Sequence, residues 1–355
     1  MDRIKDVCLE HAKRYVKMQP QDAVKLVFQS EFGGGHLISD EQASINYLIE
    51  EARGVDPEID QLLFEEIGNN VARANLAPFI ARGYSLSTLN RLFVTSSKHI
   101  SGDIASFEDK LDLLRSIVDE GEFNFTAQSF YEYMESYRRD NYPIPRHSDI
   151  YRKAYKPAYR LINSKYAKYI DVFDIIEQRL MEQRSVIMAI DGRCGSGKTS
   201  LSTLISEVFD CNVIHMDEFF LPPDLRTEDR LKEAGGNVHY ERFQDEVIAG
   251  LLSNEQFEYR IFDCTVMDYE KQAKTVYPKE LTIIEGTYSL HPLYASIYDI
   301  KVFTSCPYEV QLKRIRNRDG AEMLERFIEE WIPMEEQYFS TFSIPENCDL
   351  VLSDS

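Results

Sequence analysis

Apolar residues recur at three- and four-residue spacing in "DAVKLVFQSEF" and "DEQASINYLIEEA", the period of amphipathic helices. Asp40 is placed to cap the second of them. "LSTLNRLFVTSSKHI", "FEDKLDLLRSIVDE" and "FTAQSFYEYMESYRRD" continue the period, the last with Thr126 as its N-cap, so residues 1 to about 140 read as helices. "NYPIPRHSD", 141–149, breaks the pattern with two prolines. "YAKYIDVFDIIEQRLMEQR", 166–184, reads as a connecting helix. The texture then changes at Ser185. "VIMAID", "NVIHMD", "YRIFDC", "LTIIEG", "IKVFTS" and "DLVLS" are short β-rich runs with helical segments between most of them, the pattern of parallel strands covered on both faces. The expected organisation is a mainly α-helical domain over 1–163, a connecting helix over 164–184 and an α/β domain over 185–355, its parallel sheet flanked by helices.

Composition narrows this picture. A chain of 355 residues exceeds what one core usually serves, which agrees with two domains. No apolar run approaches the roughly 20 residues that span a bilayer, and "MDRIKDVCLEHAKRYV" is charged throughout, unlike a signal peptide. Cys8, Cys194, Cys211, Cys264, Cys306 and Cys348 are scattered without C-x-x-C pairs, as in a reduced cytoplasmic protein. A net charge of −20 argues against a general nucleic-acid binder, which displaces counterions with a basic surface. No membrane partner is expected; a homo-oligomer stays open.

Chemistry enters with "AIDGRCGSGKTS", 189–200. Gly192, Gly197, Lys198 and Thr199 satisfy G-x-x-x-x-G-K-S/T, with Arg193, Cys194, Gly195 and Ser196 inside the loop and Ser200 after it. An apolar run precedes the loop and the helical "TSLSTLISEVF" follows. The glycines let the loop curl so that its N–H groups point inward, and the helix start turns its positive end to a phosphate. Lys198 is expected to reach the β- and γ-phosphates of ATP, and the Thr199 hydroxyl to ligate Mg²⁺. Asp217 and Glu285 end two further strand-like runs, where the carboxyl edge of a parallel sheet surrounds a ligand crevice. One carboxylate there serves Mg²⁺ and one takes a proton from an attacking hydroxyl; helix capping is the plainer alternative for both.

Residues 186–353 resemble the uridine kinase and phosphoribulokinase family of P-loop kinases. "HMDEFF" is similar to that family's Asp-x-Phe-Tyr/Phe signature, which implies Asp217 as catalytic base. "GGNVHYERF" resembles its acceptor-binding segment, "IFDC" its Tyr-Asp segment, "IIEGTY" its Glu-Gly strand end, "RIRNRDG" the Arg-Asp start of its lid and "CDLVL" its final strand. The resemblance implies a P-loop NTPase fold, with His239 and Phe262 beside the acceptor. Three departures bear on the acceptor. His239 stands near an expected Asp, Phe262 replaces a Tyr, and the lid lacks Arg-Gly-Arg after Arg318 and Asp319. A hydroxyl-bearing small molecule, nucleoside-like or not, is the expected acceptor.

Arg314 and Arg318 share a helix face, and Arg318 is the choice for a lid arginine against a surface pair with Glu322. Trp331, near Phe327 and Tyr338, and His215, inside a strand run, read as packing residues. Cys194 reads as a small tolerated residue, with oxidation that blocks ATP as the alternative. In the first half, "EFGGGHLISDEQ" is a helix-to-helix turn or a ligand loop using His36. Arg146, His147, Arg152, Lys153, Lys156 and Arg160 form a basic island, and Tyr151, Tyr155 and Tyr159 recur every four residues as if on one helix face. A docking stripe and an anion site over the acceptor are both open. For residues 1–145 no family resemblance is recognised, and the sequence does not reveal their role. The leading function is an ATP-dependent small-molecule kinase; the alternative is a P-loop ATPase switch whose helical domain binds a partner.

Overall fold

The computed structural model describes residues 2–35 and 40–353. His36 therefore lies outside the described residues. The chain divides into two compact units, Met1–Ile170 and Asp171–Ser355.

The first unit contains α1 (Asp2–Arg14), α2 (Pro20–Phe32), α3 (Glu41–Ala52), β1 (Phe64–Gly68), β2 (Val71–Asn75), α4 (Leu76–Ala81), α5 (Leu86–His99), α6 (Ile104–Asp119), α7 (Ala127–Arg139), α8 (Asp149–Tyr155), β3 (Tyr159–Asn163) and α9 (Ser164–Ala167). The caps act as their residue types require. Asp40 Oδ1 accepts from Ala43 N at 2.7 Å and Thr126 Oγ1 from Ser129 N at 3.2 Å. The helices close on a core that includes Val24, Val27, Phe107, Leu114 and Phe130.

Periodicity missed the antiparallel sheet β1-β2-β3. Its hairpin turns at Asn69 and Asn70, whose φ values of 51° and 57° suit a tight Asn-Asn turn between strands. The tyrosine stripe is corrected as well. α8 ends at Tyr155, with Lys156 left-handed before Pro157, so Tyr159 lies on β3 and not on the helix of Tyr151. Part of the basic island is structural. His147 Nδ1 meets Asp22 Oδ1 at 3.0 Å and its Nε2 meets the Tyr159 hydroxyl at 2.7 Å.

That hydroxyl joins a buried polar network. Arg73, 1% exposed, donates to Gln29 Oε1 at 2.8 Å and to Glu65 Oε2 at 3.3 Å, and Glu65 also accepts from Arg14 and Tyr15. Removing one side of a buried ion pair leaves an uncompensated charge, which costs about 3–5 kcal/mol. Arg73→Met is expected at the low end, about 3 kcal/mol, because Arg14 and Tyr15 still serve Glu65. Urea unfolding followed by circular dichroism reads the loss.

In the second unit, α10 (Ile170–Glu182) leads into β4 (Val186–Gly192), α11 (Lys198–Val208) and β5 (Cys211–His215). The short elements α12 (Glu228–Lys232), α13 (Tyr240–Phe243), α14 (Ala249–Ser253), β6 (Phe257–Tyr259), β7 (Phe262–Asp263), β8 (Asp268–Tyr269) and β9 (Lys274–Val276) follow. The unit closes with β10 (Leu281–Glu285), β11 (Ile300–Ser305), α15 (Tyr308–Asp319), α16 (Ala321–Arg326), α17 (Ile332–Phe342) and β12 (Leu350–Ser353).

Five strands form one sheet in the order β12-β11-β4-β10-β5, and every pair is parallel. β4 and β10 are buried almost throughout, as strands covered on both faces must be. β4 is central; the chain adds β5 and β10 on one side of it and β11 and β12 on the other. This places a switch point, where ligand crevices form, at the carboxyl ends of the central strands. "YRIFDC" does not join this sheet. Its residues fall into two short antiparallel ribbons, β6 with β9 and β7 with β8. Asp217 likewise lies beyond β5, in a 3₁₀ turn over Met216–Phe219.

Candidate active site

β4 delivers the loop. At its end Asp191 is fully buried, and its carboxylate accepts from the N–H groups of Gly192, Tyr288 and Leu290 and from the Tyr338 hydroxyl. Burial pushes it up to about 6, against those hydrogen bonds. It ties the loop after β4 to the loop after β10. Gly192 follows with φ 143°, and a Cβ there would lie 2.1 Å from the Thr304 carbonyl oxygen. Gly192→Ala is expected to destabilise the fold by about 1–3 kcal/mol through this strain, read as a lower unfolding midpoint in urea.

α11 starts at Lys198, with Gly197 left-handed before it at φ 100°. Lys198 Nζ donates to the carbonyl oxygens of Gly192 at 2.8 Å and Arg193 at 3.0 Å, and to Thr287 Oγ1 at 3.1 Å. Thr199 Oγ1 donates to Glu285 Oε1 at 3.1 Å, and Ser200 is exposed on the next position of α11. Ser196 Oγ is 2.6 Å from Thr304 Oγ1, which fixes the loop against β11.

Three consecutive loop residues are gripped by the last helices. Arg193 forms a bidentate pair with Glu336, at 2.5 and 2.9 Å. Cys194 N donates to Glu335 Oε2 at 3.0 Å, and Gly195 O accepts from Arg314 Nη1 at 3.0 Å. Burial raises the Glu335 carboxyl, with Lys198 opposing. Cys194 is buried and its thiol is pushed up to about 12, so the reactive thiolate is disfavoured.

At the neighbouring strand ends, Glu285 of β10 is the parallel partner of His215 on β5. His215 Nδ1 is 2.5 Å from Glu285 Oε1, and this bond holds the imidazole above its ordinary range. Asp217, two residues on, keeps a solvent-accessible edge. Its carboxyl is raised by the protein atoms crowded on its other sides and then by Glu285 and Glu218, with His215 opposing.

Four expectations change at this site. Arg318 is not brought to the loop. It is exposed, donates to Asp319 Oδ2 at 2.8 Å rather than to Glu322, and lies over the Phe327 ring. Arg314, one turn nearer to β11, reaches the loop instead. Phe262 is 2% exposed and packs edge-on against Tyr269, so it is a core residue that offers no open face. His215, expected to be packed, is half-buried at the end of β5 and bonded to Glu285. Trp331 is only half-buried; Phe327 meets it edge-on and Arg326 lies over it, while Tyr338 is held away on Asp191.

His239 is half-buried at the start of α13, its N–H bonded to Phe219 O at 2.7 Å. Its Nδ1 is buried without a hydrogen-bond partner among the described residues. Burial and then Arg242 lower its pKa. Arg314 was legible in sequence as the face-mate of Arg318. Glu335 carried no signal, since one acid within "PMEEQYF" looks like any other.

The chain matches no family model. Over less than half its length it is similar to uridine kinases. That of Bacillus mycoides is 28% identical over 185 residues, which cover 46% of this chain and 86% of the relative. That of Ligilactobacillus salivarius is 29% identical over 150 residues, 40% and 70% of the two chains. Among solved structures, D-glycerate 3-kinase from Cryptococcus neoformans aligns with 14% identity and a TM-score of 0.34, over 46% of this chain and 85% of its own. Shikimate kinase from Bacteroides thetaiotaomicron aligns with 14% identity and a TM-score of 0.24, over 47% and 85%.

Proposed function

We propose that the protein is an ATP-dependent kinase that transfers the γ-phosphoryl group to a hydroxyl of a small molecule. One observation carries the reading. The carboxyl ends of β4, β10 and β5 bring a P-loop lysine and threonine together with Glu285, and the turn after β5 adds Asp217. The similarity to uridine kinases supports the same class of reaction and leaves the acceptor open.

The loop N–H groups and the start of α11 would hold the phosphates, and Lys198 would exchange its carbonyl partners for the β- and γ-phosphates. Among the described residues no three His, Cys, Asp or Glu side chains form a metal cluster. Mg²⁺ needs none: it keeps several waters and takes one or two protein oxygens beside those of the phosphates. The touching Thr199 hydroxyl and Glu285 carboxylate fit that demand. When bound there, Mg²⁺ neutralises charge on the phosphates. Asp217 takes the proton of the acceptor hydroxyl, which its accessible edge allows and its raised pKa favours. An arginine of α15 completes the charge balance, and Arg314, bonded to Gly195 O, is better placed for it than Arg318. His239, with an unpartnered ring nitrogen, is the candidate to orient the acceptor.

The test is turnover of ATP with a panel of nucleosides, sugars and vitamin-like alcohols, with the phosphorylated product identified. Stoichiometric transfer to one acceptor supports the kinase. ADP release that no acceptor accelerates would reject it in favour of an ATPase switch.

A further inference from the structure

We propose that His215 is a positioning residue that holds Glu285 in the orientation in which it serves a divalent cation beside Thr199. This deepens the reading above and rests on it.

Glu285 is 5% exposed and ends a fully buried strand, "LTIIE". A carboxylate so placed needs partners, or its desolvation is uncompensated. Lys198 does not supply them; its described bonds go to Gly192, Arg193 and Thr287. His215 and Thr199 do, and both meet the same oxygen, Oε1, at 2.5 and 3.1 Å. Two partners on one oxygen set the rotation of the carboxylate and turn Oε2 to the remaining side. The parallel register makes the arrangement robust, because His215 and Glu285 are aligned Cα partners at the ends of adjacent strands.

A histidine kept only for packing would be enclosed. The His215 side chain is 33% exposed, while the carboxylate it holds is 6% exposed. It therefore reaches from the buried acid to the solvent. Hydrogen-bonded partners of this kind orient metal-binding carboxylates, and losing one costs about 10- to 100-fold in metal affinity.

The experiment uses the full chain and a fluorescent ATP analogue, titrated at a series of Mg²⁺ concentrations. His215→Phe removes the donor and keeps a ring. His215→Asn keeps a donor near the position of Nδ1. In His215→Phe the Mg²⁺ concentration that half-maximally tightens nucleotide binding should rise about 10-fold or more. In His215→Asn it should stay within about 3-fold of wild type. Metal-free nucleotide binding should match wild type in both, since neither change touches Lys198 or the loop N–H groups. Wild-type Mg²⁺ dependence in His215→Phe overturns the proposal, and so does equal impairment in the Asn variant. If His215→Phe does not fold, His215→Ala is judged by the same criterion. A wild-type protein whose nucleotide binding ignores Mg²⁺ would instead remove the underlying reading of Thr199 and Glu285, and this inference with it.

Discussion

Lys198→Ala should reduce phosphotransfer by at least about 100- to 1,000-fold while the protein stays folded. The magnitude is that of removing one preorganised donor aimed at charge that develops in a transition state. The side chain is a loop cation, not a core residue. Without nucleotide it meets two loop carbonyl oxygens and Thr287, and intramolecular hydrogen bonds of this kind contribute only about 1 kcal/mol each. Circular dichroism and a melting curve should therefore stay close to wild type as the transfer assay collapses. Undiminished transfer by the folded variant would sink the assignment of the loop.

Asp217→Asn should retain ATP binding and lose roughly 100-fold or more in transfer, the scale of a missing general base. The amide is nearly isosteric, so the turn over Met216–Phe219 should persist. Loss of ATP binding in this variant would assign Asp217 to the metal rather than to the acceptor. The pH profile gives a second reading. Because crowding and the neighbouring acids Glu285 and Glu218 raise the Asp217 carboxyl, its base form is lost at a higher pH than the about 3.9 of a free aspartate. The acid limb of kcat/KM should fall as pH drops through that raised value, and Asp217→Asn should flatten it. A limb at the ordinary value would remove Asp217 from the base role.

Much of the second unit was legible because its signals are local. The P-loop is fixed by glycines at set offsets and by a strand before and a helix after it, all within a few residues. The apolar runs that became β4, β5, β10, β11 and β12 announce themselves as strands of one parallel sheet. Interactions between distant elements were not legible. His215 looked like strand filling, since nothing nearby in sequence reveals that Glu285 is its partner across the sheet. Arg318 matched the expected lid position, yet its neighbour Asp319 captures it and Arg314 takes the contact with Gly195. In the first unit, helical periodicity drew attention from the Asn69–Asn70 hairpin, whose cue was two residues long. Tyr159 kept a four-residue interval from Tyr155 that Pro157 makes irrelevant.

The grip on the loop has a consequence for the order in which the chain is made. Arg193 meets Glu336 across 143 positions, Cys194 meets Glu335 across 141 and Gly195 meets Arg314 across 119. A ribosome exposes the N-terminal side first, at about 5–20 residues per second, so the loop emerges well before these three partners. Until α17 arrives, the sequence "GRCGSGKT" is complete but the restraints from Glu335 and Glu336 are missing. Nucleotide is thus expected to favour the finished chain over nascent ones, and a chain cut before Glu335 should carry the full motif without its native shape.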